Sequence, residues 1–176
     1  MRIQCTKELL RLMKKEPVDQ PAGEQEELLY TWNAVILRLG RTRLMVMQNS
    51  LTRCVIIFCR PMAKDFAALT DRMREAIWEL FTAMKIPEDQ IRTYLEKAGD
   101  CVLTKSGSRK ELGRVLQICK DMKYSSTPFA DIQPDLLIQT EAGLGWSDVT
   151  IWYDDEKNIT DGIKCTQKML AEYCSE

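Results

Sequence analysis

From residue 104 to 110 the chain reads Thr104-Lys105-Ser106-Gly107-Ser108-Arg109-Lys110: a strand end, a glycine turn and a helix start. The first N–H groups of a helix have no partner within it, and the helix dipole puts partial positive charge there. Lys105, Arg109 and the hydroxyls of Ser106 and Ser108 would add donors, so this segment suits holding an anion. Neither G-x-x-x-x-G-K-[ST] nor G-x-G-x-x-G is present, so it is not one of the familiar nucleotide loops. The plainer alternative is a capped helix, with Ser108 at the N-cap, Glu111 three residues on, and solvated cations beside them. Cys5-Thr6-Lys7 repeats the arrangement near the start of the chain: strand, hydroxyl cap, lysine in the first turn. A lysine there opposes the dipole, at a cost of roughly a few tenths of a kcal/mol, unless an anion or acid answers it. If the two helix starts face each other, four cations surround one phosphate.

Other chemistries find less support. The chain has no histidine, which removes His-based triads, dyads, zinc hydrolysis and phosphotransfer. Catalysis would rest on carboxylates, Lys, Tyr or an activated Cys. Cys5, at a helix start, is the candidate nucleophile, set against a buried structural thiol. The seven cysteines are scattered with no C-x-x-C, a pattern of small buried hydrophobes in a reducing compartment rather than of zinc ligands. Asp154-Asp155-Glu156 lacks the alternating spacing of a hard-cation loop and reads as a solvated acidic turn. No metal or cofactor is expected. Trp32, Trp78, Trp146 and Trp152 read as core or interface anchors.

These residues must be positioned by a fold, and residues 31–59 organise it. Val35, Ile36, Leu37, Leu39, Leu44, Val46 and Val55-Ile56-Ile57-Phe58 form apolar runs, broken at Gly40-Arg41-Thr42 and Gln48-Asn49-Ser50. That predicts a three-strand meander, its third strand over Thr52–Cys59. Both faces of these strands are apolar, so helices on both sides or a second subunit must cover them. Arg38, Arg41, Arg43, Arg53, Arg60 and Lys64 accompany this stretch with no acid among residues 31–64. They either blunt strand edges or contribute to a basic surface.

Around the meander, Met1–Cys5 reads as a strand and residues 7–15 as a helix with Leu9, Leu10 and Met13 inward. Residues 16–27 carry a net charge of −5 with two prolines and read as a flexible acidic loop. Phe66, Leu69, Met73, Ala76, Ile77, Leu80, Phe81 and Met84 predict one long helix over 64–84. A helix over 87–97, a strand at Cys101–Leu103 and a helix burying Leu112, Val115, Leu116, Cys119 and Met122 follow, fading by Ser125–Pro128. Leu136–Ile138 and Val149–Tyr153 read as strands around a Gly143-Leu144-Gly145 turn. Asp161–Cys174 reads as a helix with Ile163, Met169, Leu170 and Tyr173 inward. Residues 127–176 carry −7 and read as an acidic C-terminal extension packed on the same domain. At 176 residues with 45% hydrophobic and 29% charged, the chain is one globular domain. No apolar run approaches the roughly 20 residues a bilayer requires, and no secretory h-region opens the sequence. A cytoplasmic location is the expectation.

Cys5-Thr6-Lys7, Trp32, Ala63-Lys64-Asp65-Phe66, Thr104-Lys105, Arg109 and Leu112-Gly113 occur in that order. In this the chain resembles a bacterial family of small cytoplasmic proteins known only as a domain of unknown function, over about residues 1–123. The resemblance implies no activity. It adds weight to Lys7, Trp32, Lys64, Asp65, Lys105 and Arg109 as positions to test. The family carries small and amide or acidic residues after its Leu-Gly, where this chain has Arg114-Val115-Leu116-Gln117.

The sequence therefore predicts a single α+β domain, with a mainly antiparallel sheet of about four to six strands packed by the 64–84 helix and shorter helices. The function it favours is a non-enzymatic module binding a nucleotide or a nucleic-acid phosphate. The site would comprise Lys7, Lys105, Ser106, Ser108 and Arg109, with Thr6, Trp32, Lys64 and Asp65 as secondary positions. Overall acidity, with a pI near 5.7, argues against loose, purely electrostatic DNA binding. Two other classes stay open: a protein-interaction or homodimer module using the apolar sheet, and an enzyme using Lys, Asp or Cys.

Overall fold

Thr6 marks where the first strand gives way to the first helix in the computed structural model, which describes residues 1–19, 28–107, 109–124, 132–153 and 158–174. Residues 20–27, Ser108, Ser125–Pro128 and Asp154–Glu156, and with them most of the acidic loop and the Ser108 cap, lie outside the described residues. Strand β1 (Arg2–Cys5) ends at Thr6, whose Oγ1 accepts from the Leu9 N–H at 3.4 Å and caps α1 (Lys7–Met13) as the sequence predicts. A 3-10 turn at Leu28–Tyr30 leads into the meander of β2 (Thr31–Leu39), β3 (Thr42–Asn49) and β4 (Val55–Cys59). Gly40, with φ of +56°, supplies the left-handed turn between β2 and β3. The third strand is shorter than expected because Asn49 Oδ1 accepts from the N–H groups of Leu51 and Thr52, folding residues 49–52 into a side-chain-closed turn.

The five strands are ordered β4-β3-β2-β1-β5, with β5 spanning Val102–Lys105. Strand β1 runs parallel to both neighbours, β2 and β5, while β2–β3 and β3–β4 are antiparallel. The sheet is thus mixed, with its longer pairings antiparallel as expected and those of β1 parallel. The expectation followed the hairpins, whose turns are visible in sequence. Nothing local announces the parallel pairing of two four-residue strands far apart in the chain.

The remaining elements are α2 (Ala63–Ala67), α3 (Leu69–Ala83), α4 (Glu88–Ala98), α5 (Arg109–Tyr124), α6 (Thr140–Ser147), the hairpin β6 (Thr150–Tyr153) and β7 (Asn158–Asp161), and α7 (Gly162–Tyr173). The single helix expected over 64–84 is two, broken at Ala68, where ψ reaches 33°; no glycine or proline marks the break. On one face of the sheet Ile3, Cys5, Ala34, Met47 and Phe58 pack beneath α1, α3, α4 and α7. On the other, Val35, Leu37, Val46 and Ile57 pack beneath α5 and α6. Helices of the same chain therefore cover both faces of the meander. Two expected core residues are not core: Leu116 is 47% exposed and Tyr173 56%.

The C-terminal third differs most from its sequence reading. Residues 137–139 follow the outer edge of β4 through Cys59 N–H to Leu137 O, Gln139 N–H to Ile57 O and one bridge, Phe58 to Ile138. They do not form a strand of their own. The supposed turn at Gly143-Leu144-Gly145 lies inside α6. That helix approaches β4 so closely that a Cβ on Gly143 would stand 2.7 Å from Val55 O, and Ser147 Oγ accepts from the Val55 N–H at 2.8 Å. Glycine is there for proximity, not for turning. Gly143→Ala is accordingly expected to destabilise the protein by about 1–3 kcal/mol through overpacking, read as a lower urea midpoint at unchanged slope. An unchanged midpoint would contradict the close approach.

Candidate functional site

The site is built from the C-terminal ends of β1 and β5. These strands lie side by side with Cys5 opposite Lys105, and Ser106 N–H continues the ladder to Cys5 O at 3.1 Å. From there the two chain exits diverge. The first enters α1 on one face of the sheet, and the second enters α5 on the other. A divergence beyond the carboxyl ends of adjacent parallel strands leaves a crevice, the usual ligand position in open sheets with parallel strands.

On the α1 side of that edge is an open groove of about 240 Å³. Five cations line it: Lys7, Arg11, Lys14, Lys15 and Lys105. All five are exposed. Leu10 and Pro17 give it an apolar floor, and Glu16 is the single acid on its wall among the described residues. Local structure explains the assembly. Leu9, Leu10 and Met13 turn inward, which leaves Lys7, Arg11 and Lys14, at steps of four and three, on the outer face. Lys14 adopts φ of +53° and its N–H reaches Arg11 O, while Lys15 N–H reaches Leu10 O. This left-handed close sends the chain back to the sheet edge, where Val18 N–H donates to Leu103 O at 2.8 Å. Among the described residues, none of the five cations forms an ion pair.

The residues singled out from sequence divide between places. Lys7 and Lys105 share the groove, and Thr6 caps the helix that carries Lys7. Ser106 is half-buried with its backbone in the ladder. Arg109 is exposed at the start of α5 and is not among the groove's lining residues. Ser108 lies outside the described residues. Trp32 is fully buried and its Nε1 donates to Tyr94 OH at 3.2 Å, which makes it a core residue. Lys64 and Asp65 follow β4, separated from β1 by two strands. Asp65 is buried and accepts from the Met62 N–H at 2.8 Å, so its carboxylate is spent on holding the start of α2. Of the meander arginines, Arg53 is bound to Glu111 at 2.7 Å and Arg43 donates to Pro61 O at 2.8 Å. Arg11, Lys14 and Lys15 were not singled out. The available signal was their spacing with Lys7, together with the +4 charge of residues 1–15.

A second polar feature lies on the α5 face. Thr104, Gln4, Asn33 and Gln48 sit opposite one another on four successive strands, and all are buried. Asn33 Nδ2 donates to Ser50 Oγ at 2.9 Å, while Asn33 Oδ1 and Thr104 Oγ1 have no hydrogen-bond partner among the described residues.

Cys5 does not fit the role of nucleophile. It is buried, its Sγ donates to Ile3 O at 3.6 Å, and burial, with a smaller push from Cys101, raises its pKa from 9.0 to about 12. All seven cysteines are free thiols; burial likewise raises Cys54 to about 11 and Cys119 to about 12. Below about pH 9 these thiols are protonated in both folded and unfolded chains and add no pH dependence. Between about 9 and 12 the unfolded chain releases protons that the folded one keeps, so stability falls as pH rises. The urea midpoint is expected to decline across that window, and to decline less steeply in Cys5→Ala. Equal slopes would place the Cys5 thiol near its ordinary value.

Among the described residues no helix is long and apolar enough to cross a membrane. No curated protein and no solved structure matches the chain. A family model described as a domain of unknown function, DUF6933, matches residues 2–156, and the chain belongs to that family.

Proposed function

We propose that this protein is a binding module for an anionic ligand, a nucleotide or a nucleic-acid phosphate, held in the groove between α1 and the end of β5. The observation that carries this reading is the company of Lys7, Arg11, Lys14, Lys15 and Lys105 around one opening, with Glu16 the one acid among the described residues that line it. Each pair of like charges about 10 Å apart costs about 0.4 kcal/mol in water, reduced further by salt. Several such pairs act together here, and a bound anion would reverse their sign. Two arginines of the meander contrast with this, since Arg53 and Arg43 are already engaged within the chain. The site is therefore moved from the start of α5, where the sequence put it, to the outer face of α1, retaining Lys7 and Lys105. Seven free thiols fit a reducing compartment such as the cytoplasm.

Titration calorimetry with nucleotides and short oligonucleotides at low salt tests the reading. Lys7→Gln/Lys105→Gln is expected to weaken binding by about tenfold or more, which corresponds to about 1.4 kcal/mol. Arg109→Ala, outside the groove, is expected to leave it unchanged. The reverse pattern would return the site to α5, and no binding of any of these anions would remove the function.

A further inference from the structure

We infer that the groove takes the phosphodiester backbone of a single nucleic-acid strand laid along α1, rather than one nucleotide. This rests on the anion-binding reading above and narrows it. Lys7, Arg11 and Lys14 are not a cage around a point. Lys7 and Arg11 occupy successive turns of α1 and Lys14 follows at its left-handed C-cap, so at roughly 1.5 Å per residue the three extend over about 10 Å. Lys15 and Lys105 flank that line. A line of this length exceeds the separation of neighbouring phosphates on a strand, so it opposes more than one of them, each a fixed negative charge.

What the groove lacks points the same way. Among the described residues its lining contains no aromatic ring to stack a base and no Asn, Gln, Ser or Thr to read a base edge. Leu10 and Pro17 are the apolar surface on offer, and Leu10 is only 7% exposed. A mononucleotide site ordinarily encloses its base, and base recognition by single-strand binders uses stacking platforms. This groove is open and offers charge alone. Four of its five cations are lysines, mobile point charges on flexible stems that can follow a flexible chain of phosphates. Such a surface suits an extended polyanion, and it reads no sequence.

The test compares a thymidine hexanucleotide, an adenosine hexanucleotide, adenosine triphosphate, inorganic phosphate and a glutamate hexapeptide by calorimetry at several salt concentrations. The two hexanucleotides are expected to agree within about threefold and to bind at least about tenfold more tightly than the other three. For single strands the slope of log affinity on log salt is roughly −0.7 per phosphate contact, so three to five contacts give about −2 to −3.5. Lys14→Gln/Lys15→Gln, on exposed positions, should reduce that slope by about 1.4 and leave the urea midpoint near the parent value. Adenosine triphosphate binding as tightly as the hexanucleotides, with an unaltered slope in the double variant, would overturn the strand while keeping the anion site. Equal affinity for the glutamate peptide would overturn the preference for phosphate. Failure of every anion would remove the anion site and the strand together.

Discussion

The arrangement of the whole molecule depends on a four-residue strand, β1, being held on both sides by parallel partners. Parallel pairing cannot be closed by a tight turn, so each neighbour must return by a crossover. The β1-to-β2 crossover carries α1, and the descent to β5 comes only after β3, β4 and helices α2 to α4. Because β1 is an interior strand, its ends are fixed by neighbours on both sides. Whatever follows Cys5 is therefore anchored with the precision of the sheet, and Thr6 and Lys7 follow Cys5 directly. The same register sets Lys105 level with Cys5, which brings two lysines a hundred residues apart in sequence to one edge.

Two kinds of positive charge follow from this frame. Arg53 is tied to Glu111, which also binds Arg114 at 2.7 Å. That cluster fastens the first turn of α5 to the turn preceding β4. With both partners of the Arg53–Glu111 pair mostly buried, breaking it would leave a charge poorly solvated, and such losses are costly. The cations of α1 stand in solvent with no partner among the described residues. A net charge of −1 over the chain conceals this difference. Overall acidity weakens long-range attraction of an anion, yet screening confines such fields to about 8 Å at physiological salt. Local density around the groove therefore matters more to a bound phosphate than the chain's total.

Much of the fold was legible because it is written in short-range pattern. The hairpin around Gly40, the Thr6 cap and the apolar stripe of α3 each need only a few consecutive residues to declare themselves. What escaped is long-range or steric. The parallel pairing of β1 with β5 joins distant segments and leaves no periodic mark. Gly143 reads as a turn because turns and close packing ask for the same residue, and only the position of Val55 O distinguishes them. The candidate site was half legible for the same reason. Lys7 and Lys105 follow strand ends that pattern can locate, whereas the face on which α5 lies, and with it the separation of Arg109 from the groove, depends on which side of the sheet the chain crosses. Arg11 and Lys14 were readable from helical spacing once Leu9, Leu10 and Met13 were assigned inward.

The chemistry of the groove also constrains what kind of site it makes. Ammonium and guanidinium groups donate hydrogen bonds and supply charge, but they take no proton near neutral pH. Glu16 is the one carboxylate on the wall among the described residues, and the thiol of Cys5, at the end of β1, is buried, which raises its pKa to about 12. With no histidine in the chain, proton transfer at this edge would fall to Glu16, a solvent-exposed residue. Five donors without an apposed base are suited to holding negative charge in place. For that task mobility would be no handicap, because a lysine on a flexible stem could follow the charge it holds. Rigidity matters in the strands that set Cys5 and Lys105 level, and there it is supplied by the backbone ladder through Cys5 and Ser106.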